Sequence, residues 1–457
     1  MLWGGRFNSK ITSDILSFSS SLAYDKTLFK EDILGTKAHV KMLCKVQLIS
    51  EHDYKTIVNG LNTVSELWER GEWCPSPTEF EDIHSAVEIK LGELIGDVAG
   101  KIHTGRSRND QVVTDMKLWM KKRASECIDQ INHFQYVLIE KAKRYKTECI
   151  PSYTHLQQAQ PISFGYHLMT YTEMLQRDKE QWVQLLDQVN ENPLGSGAVA
   201  GSTLPLDRKF TTEELGFSSP TRHAMDAVSN RDFMVNALHY ISVSMMHLSR
   251  LAEEFILWST AEFNWVRISD EYTTGSSLMP QKRNVDMAEL IRGKVGRVYG
   301  NYISLMTTLK ALPLAYNRDM QEDKEPVFDS FNTYTSCLNL MTGMIDSLTL
   351  LDSDKNMSEF MLATDLADEC VKLGISFRES HRLIGEIVKL SERTGKTLKE
   401  LQESDLPEHL LIFRKLHITN MNEAMNKKQT IGSCSLTEIN RHIIEMEKRL
   451  DLSTLKE

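Results

Sequence analysis

An all-α fold is predicted for this chain of 457 residues from two observations. Apolar residues recur at alternating spacings of three and four over long windows, and the period-two alternation of half-buried strands is nearly absent. The clearest window holds Met234, Leu238, Ile241, Met245, Leu248, Ala252 and Phe255, which fall on one stripe of a helix. A chain of this length exceeds one compact core, so two or three domains are expected. The pattern places them at 1–109 (small and helical), 110–362 (a bundle of long helices) and 363–457 (small and helical).

In the first domain, Ser50 to Asp53 and Thr78 to Glu81 each fit a capping box before a helix, with Gly71, Pro75 and Pro77 as breakers between the helices. Glu81, Asp82, His84 and Glu88 form a polar cluster whose default reading is a solvated face. From about Asp110 the helices lengthen. Val113, Met116, Met120, Cys127, Ile131, Phe134 and Leu138 share a stripe, and no proline interrupts it before Pro151. Phe164, Leu168, Tyr171, Leu175, Trp182, Leu185 and Val189 continue the spacing after Pro161, which suits a first helical turn, with Asp178 as the one break. Another stripe runs from Leu290 through Val298 to Leu312, and a further helix spans about Phe328 to Leu350. These make five long helices, each over about 30 Å at about 1.5 Å per residue. An antiparallel bundle is the simplest packing, and helices this long are expected to associate with other copies through their sides. After Ala363, Gly374, Pro407 and Gly432 punctuate shorter helices, the last from Leu436 to Leu450.

Composition narrows the function. A net charge of −10 argues against nucleic-acid binding, which needs a concentrated basic surface. Seven cysteines without a close Cys-x-x-Cys pair argue against a disulfide framework or a zinc site. No signal-peptide layout and no run long enough to span a bilayer are present, so a cytoplasmic protein without a membrane partner is expected. In a negative overall field, an anionic substrate needs local cationic groups.

Several motifs fail on context. Gly195-Ser-Gly197-Ala-Val-Ala200 matches a dinucleotide fingerprint formally, but Asn192 and Pro193 precede it instead of a strand. Gly96 to Lys101 is one residue short of a phosphate-binding loop and ends Lys-Ile. His-Glu-x-x-His does not occur. No cofactor and no metal are therefore expected.

Three polar stretches remain, all at ends of long helices. Gly275 to Asn284 interrupts two apolar patterns: Gly275 permits unusual backbone angles, Pro280 stops a helix, and Asn284 suits a cap for the next. A helix N-terminus flanked by Lys282 and Arg283 suits a carboxylate. Thr104 to Gln111 packs Arg106 and Arg108 into a turn, where a guanidinium can grip a dicarboxylic acid. Tyr153-Thr-His-Leu-Gln157 sets His155, able to exchange a proton near neutral pH, in the link between Pro151 and Pro161. A fourth run, Tyr316 to Lys324, reads by default as a solvated connector.

Gly275-Ser-Ser-x-Met-Pro-x-Lys-x-Asn284 resembles the signature loop of the fumarate-releasing lyases. Leu2 to Phe7, Ala23 to Asp25, Glu81 to His84, Thr104 to Gln111, Tyr153 to Gln157 with Gln160-Pro161, Leu194 to Gly197, and Tyr316 to Lys324 narrow the likeness to the argininosuccinate lyase family over nearly the whole chain. One departure is Val285, where that family usually places proline after the asparagine. The resemblance implies an all-helical, three-domain subunit and a homotetramer whose active sites are shared between chains. It implies reversible elimination of argininosuccinate to arginine and fumarate in arginine biosynthesis. It also implies catalytic roles for His155, Ser276 and Lys282, with Glu289 orienting His155, and substrate contacts at Ser21, Arg108, Asn109, Thr154, Asn284, Tyr316, Gln321 and Lys324. Sequence leaves open which of Ser276 and His155 is the base. A sister lyase acting on adenylosuccinate or aspartate, or a crystallin-like structural protein without activity, are the alternatives.

Overall fold

The protein is described by a computed structural model covering residues 12–351 and 357–450; the Leu2–Phe7 motif lies outside the described residues. The fold is all-α. After the short helical segments Ser13–Ser19 and Leu22–Asp25 come helices α1 (Phe29–Lys45), α2 (Glu51–Glu69) and α3 (Ile83–Ile95). The five long helices follow as α4 (Arg108–Arg144), α5 (Phe164–Gln188), α6 (Asp232–Trp258), α7 (Asp286–Leu309) and α8 (Lys324–Ser347). Helices α9 (Ala363–Lys372), α10 (Phe377–Thr394) and α11 (Leu436–Arg449) belong to the C-terminal part. The long helices have 24 to 37 residues, or about 36 to 55 Å each. Among the described residues no helix is long and apolar enough to cross a membrane.

Contacts divide the chain into two compact units, and each long helix begins in one and ends in the other. The first unit comprises Met1–Ile128, Asp178–Met245 and Lys294–Ser336. In it, Phe29, Leu43, Ile57, Leu61, Val87 and Leu91 make the core of α1 to α3, and Phe29 stacks on Trp68 with ring centroids 4.2 Å apart. Ser50 and Asp53 form the expected capping box at α2. The second box lies elsewhere: Asp82 caps α3 and pairs with Ser85, while Thr78 to Glu81 form the turn before it. The Asp82 carboxylate takes the Ser85 amide hydrogen at 2.6 Å, a stronger acceptor than the threonine hydroxyl upstream. Trp182, Phe331 and Tyr334 fill the space among the long helices, where the Tyr334 and Ser244 hydroxyls share a hydrogen bond of 2.8 Å.

The second unit comprises Asp129–Arg177, Met246–Gly293 and Cys337–Glu457. Its departure from expectation is a β-hairpin, β1 (Cys149–Thr154) paired antiparallel with β2 (Gln157–Ser163). Pro161 therefore sits in a strand opposite Pro151, and α5 starts three residues later at Phe164. The register slips between Pro151 and Tyr153, and there the Ser152 hydroxyl donates to Gln160 O (2.7 Å) and accepts from Gln160 N (3.1 Å), replacing the missing ladder bonds. At the start of α5, Gly165 meets the end of α4 so closely that an added Cβ would lie 2.5 Å from the Ala142 carbonyl oxygen and 2.8 Å from Lys146 Cα. Backbone cannot swing aside as a side chain does. Gly165→Ala is expected to destabilise by about 1–3 kcal/mol in a denaturant titration.

The stripes match the burial pattern with one exception. All seven residues of the α6 stripe are buried. On α7, Ile291, Val295, Val298 and Leu305 face inward, but Leu290 is 53% exposed and Leu312 lies beyond the helix end. Leu290, Tyr299, Ile303 and Met306 leave α7 with further apolar surface exposed on the single chain.

Candidate active site

A cleft of about 330 Å³ in the first unit gathers Ser21, Arg108, Asn109, Tyr316, Gln321 and Lys324 from separate stretches of the chain. Ser21 precedes the turn Leu22–Asp25; its amide donates to Glu81 O at 2.8 Å and its hydroxyl to the Asp25 carboxylate at 2.5 Å. Arg108 opens α4 and is held by Gln111 Oε1 (2.7 Å) and by Asp82 (3.4 Å), which leaves part of its guanidinium for a ligand. Asn109 donates to the Ala198 carbonyl at 3.2 Å. Lys324 starts α8, with its ammonium 2.8 Å from Asp323 and 3.5 Å from Gln321 Oε1.

Two further cations of this cleft, Arg231 and Arg318, carried no individual signal. Arg231 donates to the other oxygen of Asp323 at 2.6 Å, so one fully buried carboxylate holds two cations. Burial alone would push the Asp323 carboxyl up, but Lys324 and Arg231 outweigh it and hold it below the usual range. Arg318 pairs with Glu81 at 2.8 Å and donates to Ser19 O. The run Tyr316 to Lys324 is thus no solvated connector: Met320 and Asp323 are buried, and Tyr316, Arg318, Gln321 and Lys324 line the cleft.

Beneath the cleft lies a buried trio, Asp32, His84 and Asp115, whose nearest ligand-type atoms fall within 4.8 Å of one another. His84 was expected on a solvated face but is 2% exposed, with Nδ1 2.9 Å from Asp32 and 3.4 Å from Asp115. The partners responsible lie on other helices, out of reach of local sequence. Gln111 Nε2 also donates to Asp32 at 2.5 Å. Burial raises the Asp32 carboxyl, but His84 and Arg106 overcome this and leave it well below its ordinary value; burial and the Asp32 charge drive Asp115 well above its own. The two carboxyls are thus pushed in opposite directions, with the Arg106 guanidinium and the His84 ring beside them. Arg106 is 7% exposed and hydrogen-bonds Thr36, so of the two arginines in this turn it is Arg108 that lines the cleft.

The remaining candidates lie in the second unit and do not line this cleft. Thr154 and His155 stand exposed at the hairpin tip, where His155 and Leu156 both take positive φ, at 56° and 57°. That pair of left-handed residues is the two-residue turn whose twist matches a hairpin, built here without glycine. Ser276, Lys282 and Asn284 lie in the loop before α7, closed by an antiparallel bridge between Thr274 and Asn284. Asn284 is therefore bound in the bridge instead of capping α7, and Gly275 adopts no positive φ. The Ser276 hydroxyl oxygen accepts from the amides of Leu278 (3.3 Å) and Met279 (3.1 Å). Glu289 is exposed in the first turn of α7, and among the described residues no hydrogen bond joins it to His155.

A family profile described as lyase matches residues 5–300, and one described as argininosuccinate lyase C-terminal matches residues 360–432. The argininosuccinate lyase of Anoxybacillus flavithermus is 44% identical over 460 residues, covering 98% of this chain and 99% of its own length. The chain belongs to the argininosuccinate lyase family. Another argininosuccinate lyase, from Clostridium kluyveri, is 46% identical over 419 residues, covering 91% of this chain and 95% of its own. Among solved structures, EDDS lyase in complex with formate superposes with a TM-score of 0.82 at 25% identity, covering 97% of this chain and 90% of that one. Class II fumarase from Schistosoma mansoni shares the fold with a TM-score of 0.73 at 18% identity, covering 93% and 94%.

Within the argininosuccinate lyase family pattern, Val285 is the departure at the exit of the loop. It is 8% exposed, its carbonyl accepts from Ala288 N and Glu289 N, and the preceding Asn284 is extended in its bridge. An extended predecessor is what proline requires. Val285→Pro is expected to stabilise the protein by about 0.4–1 kcal/mol through the unfolded chain, read as a raised denaturation midpoint.

Proposed function

We propose that this chain catalyses the reversible elimination of argininosuccinate to arginine and fumarate, the lyase step of arginine biosynthesis, as a cytoplasmic homotetramer. The observation that carries the reading is the cleft itself: Arg108, Arg231, Arg318 and Lys324 bring guanidinium and ammonium donors beside Ser21, Asn109, Tyr316 and Gln321, and although Asp25, Glu79, Glu81 and Asp82 share the lining, such directed donors suit the carboxylates of the substrate.

The reaction needs a base for the proton on the succinyl carbon beside a carboxylate, donors for the charge that builds there, and a proton for the departing guanidino nitrogen. Ser276 serves as base, and the two amides donating to its oxygen favour the ionised hydroxyl. Lys282, Asn284 and loop amides stabilise the developing carboxylate charge. His155 assists proton transfer to the leaving nitrogen, with Glu289 orienting it, and Thr154 contacts substrate. The cleft lining contains none of His155, Ser276 or Lys282, so the reading has neighbouring subunits complete each site. Exposed Leu290, Tyr299, Ile303 and Met306 on α7 support burial against other copies. The division at 1–109, 110–362 and 363–457 is supported by the separate clusters around Leu61 and Ile387.

The test is ultraviolet detection of fumarate from purified protein given argininosuccinate, adenylosuccinate, aspartate or malate in turn. Release from argininosuccinate alone is expected. Release from another substrate assigns a sister lyase, and no release from a correctly assembled oligomer assigns a structural protein.

A further inference from the structure

The Gly195-Ser-Gly197 motif is preceded by a strand after all, but one of only two residues, Glu191–Asn192, paired parallel with Ser219–Pro220, and the glycine loop that follows wraps a side chain. Asp110 Oδ2 accepts from the amides of Gly195 (3.0 Å) and Gly197 (2.8 Å), and Oδ1 accepts from the Ser107 amide (3.0 Å). Both glycines hold positive φ, at 90° and 63°. A Cβ on Gly197 would lie 2.8 Å from the Gly201 carbonyl oxygen, and one on Gly195 would lie 2.8 Å from Arg208 Cγ. The loop closes on itself through Gly201 N to Ser196 O at 2.8 Å. It is an anion-binding concavity of backbone amides filled by the protein's own carboxylate. The adjoining residue on α4, Asn109, donates to Ala198 O in the same loop and also lines the cleft.

We propose that Asp110 is a positioning residue: by fastening the first turn of α4 to the 194–201 loop, it fixes the placement of Asn109 in the cleft. Asp110 itself is fully buried and does not line the cleft. The inference rests on the reaction proposed above.

The clamp has a pH signature. Burial pushes the Asp110 carboxyl up to about 6, against the pull of the Gly197, Ser107 and Gly195 amides and of Arg106. The charged groups that interact with it are Arg106 from the preceding turn and Arg208 from the short helix Arg208–Glu214. Every hydrogen-bonding neighbour of its oxygens is an N–H donor, so the protonated acid sets a hydroxyl against a donor. The clamp is complete above about pH 6 and loosens below it.

Steady-state kinetics with argininosuccinate between pH 5 and 8, on the assembled enzyme and its variants, test this. In Asp110→Asn, KM is expected to rise about tenfold with a smaller fall in kcat, and the rise of KM on the acid side of about pH 6 is expected to disappear. Gly197→Ala, which disturbs the loop and leaves the carboxylate in place, is expected to raise KM similarly. In an Asn109→Ala background, Asp110→Asn is expected to add less than twofold, because its effect passes through Asn109. Unchanged KM and an unchanged acid limb in the two single variants, or fully additive effects in the double variant, would overturn the proposal. Turnover by the wild-type enzyme tests the reaction; the ratio of variant to wild type tests this residue, so the two fail separately.

Discussion

Ser276→Ala is expected to lower kcat by about 10²- to 10⁴-fold while leaving the affinity for argininosuccinate within a few-fold of wild type. The serine oxygen sits where two amides converge, those of Leu278 and Met279, and its side chain is half-buried in a loop already closed by the Thr274–Asn284 bridge. Removing the hydroxyl leaves that closure intact, because the bridge is made by backbone. Single-turnover kinetics separate the chemical step from binding, and isothermal titration on the variant measures the latter. Near-normal turnover would remove Ser276 from the chemistry and leave His155 as the candidate base.

The largest effect on stability is expected at Asp323. Its carboxylate is fully buried and holds Arg231 at 2.6 Å and Lys324 at 2.8 Å, both on side chains less than 5% exposed. Asp323→Asn keeps the shape, removes the negative charge and leaves two cations without their counter-ion. A loss of about 3–5 kcal/mol is expected in urea unfolding at pH 7. The pH dependence has a definite sign: the folded carboxyl lies below its ordinary value of 3.8, so its contribution is present above that pH and is lost as the pH falls through the folded value. The variant's deficit should therefore shrink in acid. Lys324 loses its anchor in the same substitution, and KM should rise with it; a variant as stable as wild type at pH 7 would show that another group neutralises the pair.

The long helices were legible because a helix writes its buried face into the sequence as a period, and the stripe from Met234 to Phe255 is buried residue for residue. The hairpin was not, since its strands carry Ser152, Tyr153, Gln157, Gln158 and Gln160 with no apolar alternation, and its turn is His155-Leu156 where Asn-Gly would have announced one. Leu290 was misplaced for a related reason. A helix with apolar residues on two faces offers periodicity to both, and only packing says which is covered. Motif order singled out Ser21, Arg108, Asn109, Tyr316, Gln321 and Lys324, and the cleft brings these six together. What was hidden were pairings across long sequence separations: His84 with Asp32, Arg231 with Asp323, and Gly195 and Gly197 with Asp110. A glycine pair signals a sharply bent backbone, but not what the bend encloses.

At the tip of the β1–β2 hairpin, two residues with side chains occupy a region of backbone space that most L-residues avoid. Each such residue raises the energy of the native chain by about 1–3 kcal/mol, and folding supplies it. The imidazole of His155 is thus mounted on a pre-stressed bracket rather than on a slack tether, and the ordering that fixes its main chain is completed before any ligand arrives. In the proposed reaction, little of the free energy of association then has to go into arranging this imidazole.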